Sequence, residues 1–239
     1  MSDVEKNAGV RALFNADLHK KTPDWAPRQD WQVVPTEIIH IRRQGDEYPE
    51  LTFEDWVECI EGENGAAIEI LLDDQDHRSR LGTAPGSRDA HHAWQGGYVE
   101  HVRQTMFFAA QNFLFMQQSG VLSSLPDEEQ FDLSDALTVM FLHDIEKPFM
   151  YRIDNDGLIE TTTDMSKDER KTFRQSIIDT YGFVITPTMY NALQFVEGVR
   201  DSAYIPGKRA DEPLAALCHA ADNLSARAYY TYRGKNESK

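Results

Sequence analysis

Three stretches of the chain carry histidine and aspartate residues that could bind a divalent metal ion. His101 lies in the first stretch, the adjacent pair His143 and Asp144 in the second, and Asp222 in the third. Two imidazoles and two carboxylates suit a hard or borderline divalent cation, and they leave coordination positions open for water and substrate. His143 and Asp144 also follow the apolar run VMFL, where a carboxylate is costly without a compensating cation.

Each of these residues also has an ordinary structural alternative. A lone histidine or aspartate more often caps a helix or makes a hydrogen bond than binds a metal. Adjacent helical residues such as His143 and Asp144 point about 100° apart, so both reach one ion only at a helix end or inside a bundle. Pro148 cannot continue a helix and therefore predicts a helix end close to this pair.

Helical patterns surround all three stretches. Apolar residues at intervals of three and four predict a helix from about residue 98 to Ser119-Gly120. A second helix is predicted from Asp132 or Ser134 to the residues before Pro148. A final helix is predicted from about residue 214 to 230. The candidate ligands therefore lie early in one helix, at the end of another and within the last.

Other segments complete a mainly all-α prediction. MYRIDNDGLIETT, with its Asn-Asp-Gly turn, is typical of a β-hairpin. A capping box at Ser166 to Glu169 predicts a helix through Ile178, and Thr186-Pro187 predicts another through Val196. We expect a helical bundle with a small hairpin and an irregular N-terminal extension.

The first third of the chain gives weaker signals. Prolines interrupt residues 1–50, and residues 51–59 suggest a short amphipathic helix capped at Thr52. Residues 66–72 fit a strand or a helix equally well, and residues 76–97 are expected to form a loop that holds three of the eight histidines. Between residues 44 and 76 there are twelve acidic residues and no Lys or Arg, which favours a solvated acidic face over an interaction surface.

Charge and composition exclude several classes of function. The formal net charge of -16 opposes a broad polyanion-binding surface, so long DNA or RNA is disfavoured as a partner. No apolar run is long enough to span a membrane and no signal peptide is evident. The two cysteines are too few for a disulfide framework. A cytoplasmic location is therefore expected.

Three segments together resemble the HD superfamily of metal-dependent phosphohydrolases. They are HHAWQGGYVEH at 91–101, FLHDIEKP at 141–148 and CHAADNLSAR at 218–227, and they are most similar to the branch related to a 3'-to-5' exoribonuclease. The resemblance implies an HD-type catalytic domain over residues 76–232, preceded by an extension over 1–75 and followed by a polar tail over 233–239. It further implies that the metal ligands are His101, His143, Asp144 and Asp222.

The resemblance also implies residues that contact the substrate phosphate. His91, His92 and Lys147 fall at the corresponding positions, although a histidine in a loop can equally be an ordinary polar residue. Lys147 or Arg88 could neutralise phosphoryl oxygens, with Arg80 contributing to a basic mouth. His91 or His92 could donate a proton to the leaving oxygen.

Two departures from the family pattern bear on the chemistry. Glu146 replaces the usual glycine, and it could be a general base, a partner of the ligands or an exposed residue. Binuclear members have further histidines before the last aspartate, whereas none occurs between Ile145 and Cys218. One divalent ion is therefore expected, and Mn, Mg, Co, Ni, Fe and Zn all remain open as its identity.

Two residues of the last helix are further candidates for contact with the substrate. His219 lies three residues before Asp222 and shares its face, where it could support that ligand or make an ordinary hydrogen bond. Arg227 lies five residues after Asp222 and points about 140° away. Its long side chain could reach a phosphate, or it could form an ion pair elsewhere.

The expected function is hydrolysis of a phosphoester or phosphoanhydride bond in a small nucleotide, as a nucleotidase or a nucleoside triphosphate hydrolase. The resemblance supplies the reaction class, and the acidic charge favours a small substrate over a polymer. One alternative is a 3'-to-5' exonuclease or phosphodiesterase on short nucleic acid. Another is a non-catalytic HD scaffold that binds a nucleotide or a protein partner. A homo-oligomer is compatible with the sequence.

Overall fold

The computed structural model describes residues 51–198 and 210–228, and within them the protein is mainly helical with one two-stranded hairpin, as predicted. Predictions for residues 1–50, for the last two residues of the C-terminal helix and for the polar tail lie outside these ranges.

The described residues form helices and one hairpin in the following order. The elements are α1 (Phe53–Val57), α2 (Gly62–Asp73), α3 (Gln75–Thr83), α4 (Gly97–Gln118), α5 (Leu133–Leu142), α6 (Lys147–Met150), β1 (Tyr151–Ile153), β2 (Ile159–Thr161), α7 (Lys167–Tyr181), α8 (Pro187–Phe195) and α9 (Pro213–Ala228), with short 3-10 turns at Leu122–Ser124 and Asp127–Glu129.

The first three helices settle what the sequence left open. Thr52 caps α1 through a reciprocal bond with Asp55, as its position predicted. The segment that fitted either strand or helix is α2. The expectation of a loop over residues 76–97 is wrong in its first part, because α3 extends to Thr83. The sequence of α3 lacks an apolar period because Leu81 is its only buried residue. The Asp74 side chain caps the helix.

The helices that carry the candidate ligands pack against one another. α4 contacts both α9 and α5, and α9 also packs along α8. α5 ends at Leu142, and His143 to Glu146 form a tight turn before α6 begins at Lys147. The predicted helix end beside His143 and Asp144 is therefore confirmed, although Pro148 lies in the first turn of α6 and does not itself end α5. The turn places both residues within the bundle.

The hairpin and the two following helices are also confirmed. Tyr151 pairs with Thr161 and Ile153 with Ile159 in an antiparallel register. Ser166 accepts the backbone N–H of Glu169 while the Glu169 side chain accepts that of Ser166, which is the predicted capping box of α7. The Thr186 side chain caps α8.

One hydrophobic core runs through the described residues. Trp56 of α1, Tyr98 of α4 and Phe141 of α5 are among its largest fully buried side chains. The Phe53 ring stacks on Phe141 with centroids 6.1 Å apart, so α1 belongs to the same core as the helices that carry the ligands. Burial of each such aromatic ring contributes about 1.5–3 kcal/mol to stability.

Among residues 51–198 and 210–228, no helix combines the length and the apolar character that crossing a membrane requires.

Candidate metal centre

The loop before α4 holds its two histidines by close backbone contacts. His92 has a φ of 57°, a left-handed conformation that costs side-chain-bearing residues about 1–3 kcal/mol. Its carbonyl accepts the backbone N–H groups of Gly86 and Trp94 at 2.8 and 2.9 Å. A Cβ atom at Gly97 would lie 2.0 Å from the same carbonyl oxygen. Glycine at the start of α4 therefore allows the loop to close over this helix end.

The four residues that the HD resemblance implies as ligands converge in space. His101 Nε2 lies 3.2 Å from His143 Nε2, and both nitrogens lie within 3.3 Å of Asp144 Oδ2. Asp222 Oδ1 approaches the same two nitrogens at 3.3 and 3.8 Å. Both imidazoles are buried. The buried residues His101, His143 and Asp144 could hold a metal ion, and the half-buried Asp222 lies beside them.

Hydrogen bonds on the far side of each imidazole define which nitrogen faces the cluster. His143 Nδ1–H donates to the Met140 carbonyl at 2.7 Å. His101 Nδ1–H donates to Ser225 Oγ at 3.0 Å, and that hydroxyl donates to Gln104 Oε1 at 3.0 Å. With Nδ1 carrying the proton in both neutral rings, each Nε2 presents a lone pair to the cluster.

The same hydrogen-bonded chain continues to the loop histidines. His92 Nε2–H donates to Gln104 Oε1 at 2.8 Å, which leaves His92 Nδ1 as an acceptor for His91 Nδ1–H at 2.9 Å. Gln104 Nε2 donates to Glu100 at 3.4 Å and so orients the amide. His91 therefore retains Nε2 as its acceptor nitrogen, and its ring lines the cavity beside the cluster.

These donor atoms fit a cation better than they fit one another. Two imidazole lone pairs and two carboxylates repel when they converge without a positive charge between them. Ligands about 2.0–2.2 Å from one ion lie roughly 3 to 3.5 Å apart, and most of the distances in this cluster fall in that range. The donor set therefore suits a divalent ion held by His101, His143, Asp144 and Asp222.

Charged neighbours keep the Asp144 carboxylate ionised. Although burial opposes ionisation, the positive charge of Lys147, followed by the adjacent His143 imidazole, holds the pKa of Asp144 well below its usual range. Burial likewise disfavours the Lys147 ammonium ion, but the adjacent Asp144 carboxylate raises the pKa of Lys147. Arg174 of α7 donates to the His143 carbonyl at 2.8 Å and so supports the turn that carries both ligands.

The loop histidines remain neutral near pH 7. Burial, followed by the adjacent His101 imidazole and the Lys147 ammonium group, lowers the pKa of His91 to about 4. Burial, followed by the adjacent His101 imidazole, lowers the pKa of His92 to about 3. At neutral pH both imidazoles therefore act through their hydrogen bonds.

Glu146 is buried, so the exposed alternative for this residue is wrong. Only 2% of its surface is accessible, and Oε2 has no hydrogen-bond partner among the described residues. Burial and the negative charge of Asp144 raise the pKa of the Glu146 carboxyl to about 7, against the opposing charge of Arg174. The side chain lines a cavity along α7 that adjoins the cluster.

The other predicted site residues divide into two groups. His219 lines the cavity beside the cluster, with Nδ1–H donating to the Val196 carbonyl at 2.7 Å. Arg80, Arg88 and Arg227 are exposed and line neither this cavity nor the cavity beside Glu146. Arg80 pairs with Asp76 at 2.8 Å, and Arg88 lies 3.5 Å from Asp89. The structure therefore does not bring these arginines to the cluster.

Sequence analysis overlooked the basic residues of α7. Lys167 and Arg170 line the cavity beside the cluster, and Lys171 and Arg174 line the adjoining one. Their spacing of i, i+3, i+4 and i+7 is a readable signal, because it places four cations on one helix face. Ser225 and Gln104 were also missed, and no local pattern marks them as partners of the ligands.

Comparisons of the chain with protein-family models, with curated proteins and with solved structures gave no match. The HD resemblance therefore depends on the three sequence segments, and the cluster of His and Asp residues is compatible with it.

Proposed function

We propose that the protein is a metal-dependent phosphohydrolase that cleaves a phosphoester or phosphoanhydride bond in a small nucleotide. One observation carries the proposal, namely that two imidazole lone pairs and two carboxylates converge beside the partly buried ammonium group of Lys147. The cluster opens into a cavity of about 300 Å³, which is within the range of about 300–1,000 Å³ common for small-molecule sites.

The residues around the cluster fit the needs of phosphoryl transfer. A divalent ion bound here would polarise a phosphoryl oxygen and lower the pKa of a water molecule, which then serves as the nucleophile. Lys147 lines the same cavity and places a positive charge where phosphoryl oxygens gain negative charge during the reaction. Lys147 pairs with Asp144 and faces the cavity. It can therefore contact the substrate phosphate in the transition state while it remains paired with Asp144.

His91 is better suited to accept a proton or hydrogen bond than to donate one. Its Nδ1–H is engaged by His92, so Nε2 is the ring atom left for substrate or water. We therefore assign His91 the role of orienting the attacking water or accepting from a phosphate hydroxyl. The proton donation to the leaving oxygen that the sequence suggested is not favoured for either loop histidine, because both nitrogens of His92 are engaged within the hydrogen-bonded chain.

The proposal is tested by metal analysis of purified protein and by phosphate release from nucleoside mono-, di- and triphosphates and short oligonucleotides with Mn²⁺, Mg²⁺, Co²⁺ and Ni²⁺. We expect one divalent ion per chain and hydrolysis of at least one nucleotide. Replacing His143 and Asp144 by alanine together should remove the ion and lower activity at least about 100-fold, since even losing a residue that only supports a ligand costs about 10–100-fold.

The exposed Asp127→Asn variant is the matched control, because Asp127 lies in a 3-10 turn and lines neither cavity. It should retain wild-type metal content and rate. Full activity in the folded double variant would refute the site. A metal-loaded protein that hydrolyses no member of the panel would refute the enzyme and favour the binding scaffold.

A further inference from the structure

A second cavity extends from the candidate metal centre along α7. Its volume is about 380 Å³, and Glu146, the first half of α7 and the end of α8 enclose it. Lys167, Arg170 and Glu197 line both this cavity and the one beside the cluster. The two cavities therefore adjoin, and a molecule bound at the ion could extend into the second, which we name the α7 cavity.

Positive charge is concentrated on the wall of the α7 cavity. Lys167, Arg170, Lys171 and Arg174 share one face of α7, and Lys167 and Arg170 lie in its first turns. Asp168 also lines the cavity, and Glu169 and Ser166 already cap the N-terminal end of α7, so the positive charge of this wall comes from the four side chains. The wall stands out in a chain whose formal net charge is -16.

Most of these cations have hydrogen-bonding capacity left for a ligand. Arg170 uses Nε–H to reach the Met165 carbonyl at 3.3 Å, so its two terminal NH2 groups remain. Lys167 and Lys171 form no ion pair with any acidic residue in the part of the chain that the structure describes. Arg174 differs, since it donates to the His143 carbonyl. Three cations are thus available to anionic oxygens.

The inner end of the α7 cavity carries an acceptor that lacks a donor. Glu146 is 2% exposed, and its Oε2 has no hydrogen-bond partner among the described residues. Buried carboxylate oxygens are ordinarily satisfied by a donor. A ligand that fits this cavity therefore carries anionic oxygens that face Arg170 and Lys171. Near Glu146 it carries a hydroxyl group that donates to Oε2 directly or through a water molecule. Nucleotides combine phosphate groups with sugar hydroxyls in this way.

From this geometry we infer that the α7 cavity binds a second phosphate of the substrate, next to the phosphate held at the ion. The inference rests on the proposed function and narrows its substrate class to nucleoside di- and triphosphates. A divalent ion would neutralise Asp144 and Asp222, which leaves the cations of the two adjoining cavities in excess over the remaining acidic residues. Arg170 lies at the junction and bridges the two phosphates, and Lys171 contacts the outer one.

The test compares kcat/KM for a nucleoside triphosphate with that for the matching monophosphate in the metal-loaded full chain. Lys171→Gln should lower the triphosphate-to-monophosphate ratio about tenfold, the cost of one charge-assisted hydrogen bond. Arg170→Gln should lower kcat/KM for the triphosphate about tenfold and should also lower that for the monophosphate, because Arg170 contacts both phosphates. Arg152→Gln is the control, since Arg152 is an exposed hairpin residue paired with Glu160. Its ratio should stay within about twofold of the wild type. Circular dichroism establishes that each variant is folded.

Direct binding separates this inference from the proposed function. Isothermal titration calorimetry should show that inorganic triphosphate binds the wild-type chain more tightly than orthophosphate, and that Lys171→Gln removes the difference. That result supports the α7 cavity even if no nucleotide is hydrolysed. Equal binding of the two anions, or an equal loss in Arg152→Gln, overturns the inference. Faster cleavage of an oligonucleotide than of any triphosphate, slowed by Lys171→Gln, overturns it in favour of a strand phosphate.

Discussion

The candidate metal centre and the α7 cavity adjoin each other but are built in opposite ways. His101, His143 and Asp144 of the metal centre are buried, and a hydrogen-bonded chain runs from His91 to His101 through His92, Gln104 and Ser225. The cations of the α7 cavity share one helix face, on which Lys167 and Lys171 are exposed and Arg170 and Arg174 are half-buried. Metal binding requires the imidazole lone pairs to be held in fixed directions, and packing and hydrogen bonds hold them. Phosphate binding by the cations of α7 depends mainly on the distance between the charges. Substitutions should therefore be costly in the first region and mild, but selective for substrate, in the second.

Gly97→Ala should produce the largest effect on the buried side of this comparison. The added Cβ would lie 2.0 Å from the His92 carbonyl oxygen, so the backbone of the loop or of α4 must shift. We expect a loss of about 1–3 kcal/mol in the free energy of unfolding, together with weaker metal binding because α4 carries His101. Urea denaturation monitored by circular dichroism measures the first quantity, and metal titration measures the second.

Gly82→Ala provides the matched control in the polar helix α3. A Cβ at Gly82 meets no atom within 4 Å, so alanine should stabilise the helix, by up to about 0.5–1 kcal/mol. If Gly97→Ala lowers the free energy of unfolding and Gly82→Ala raises it, the result would support the close contact between the loop and α4. A stabilised Gly97→Ala variant with unchanged metal affinity would show that this contact does not hold the site.

Ser225→Ala tests whether the hydrogen-bonded chain positions His101. The Ser225 hydroxyl accepts from His101 Nδ1 and donates to Gln104, so its loss frees the imidazole to change tautomer or rotate. We expect metal affinity to fall about 10–100-fold, as for other partners of metal-binding histidines. Ser176→Ala, which removes an exposed hydroxyl on α7, should leave affinity unchanged. If Ser225→Ala lowers only the free energy of unfolding, the residue has a packing role and no positioning role.

The difference between the two regions also explains what the sequence could predict. Helices α4 and α9 were predictable because their buried faces repeat every three to four residues, whereas α5, which is buried over most of its length, was predictable from its cap at Asp132 and from Pro148 after it. α3 was not, since Leu81 is its one buried residue and its stability comes from the Asp74 cap. A periodic pattern reports burial, and a helix with little burial leaves no such pattern.

The candidate site shows the same limit. His101, His143, Asp144 and Asp222 were predictable as a set because they fall in three motif-like segments, each on a helix or at its end. The support from Ser225 was not, because it joins residues 124 positions apart along the chain. The cations of α7 did have a helical spacing, but they lie outside the three motif-like segments from which the ligands were predicted.

Arg88→Gln should have the smallest effect, and it sharpens the comparison because sequence and structure disagree about this residue. Arg88 lies in the histidine-rich loop and was, as an alternative to Lys147, a candidate for neutralising phosphoryl oxygens. It is exposed, lies 3.5 Å from Asp89 and lines neither cavity. An exposed charge that is separated from the substrate by solvent is screened by salt. We therefore expect kcat/KM for a nucleoside triphosphate to change by less than about twofold, against about tenfold for Arg170→Gln.

Measuring kcat/KM at two ionic strengths checks the assignment of Arg88, since a residual contribution from its charge should vanish at the higher ionic strength. If Arg88→Gln instead matched Arg170→Gln at both ionic strengths, the phosphate would be bound at the loop, and the basic face of α7 would lose its assigned role.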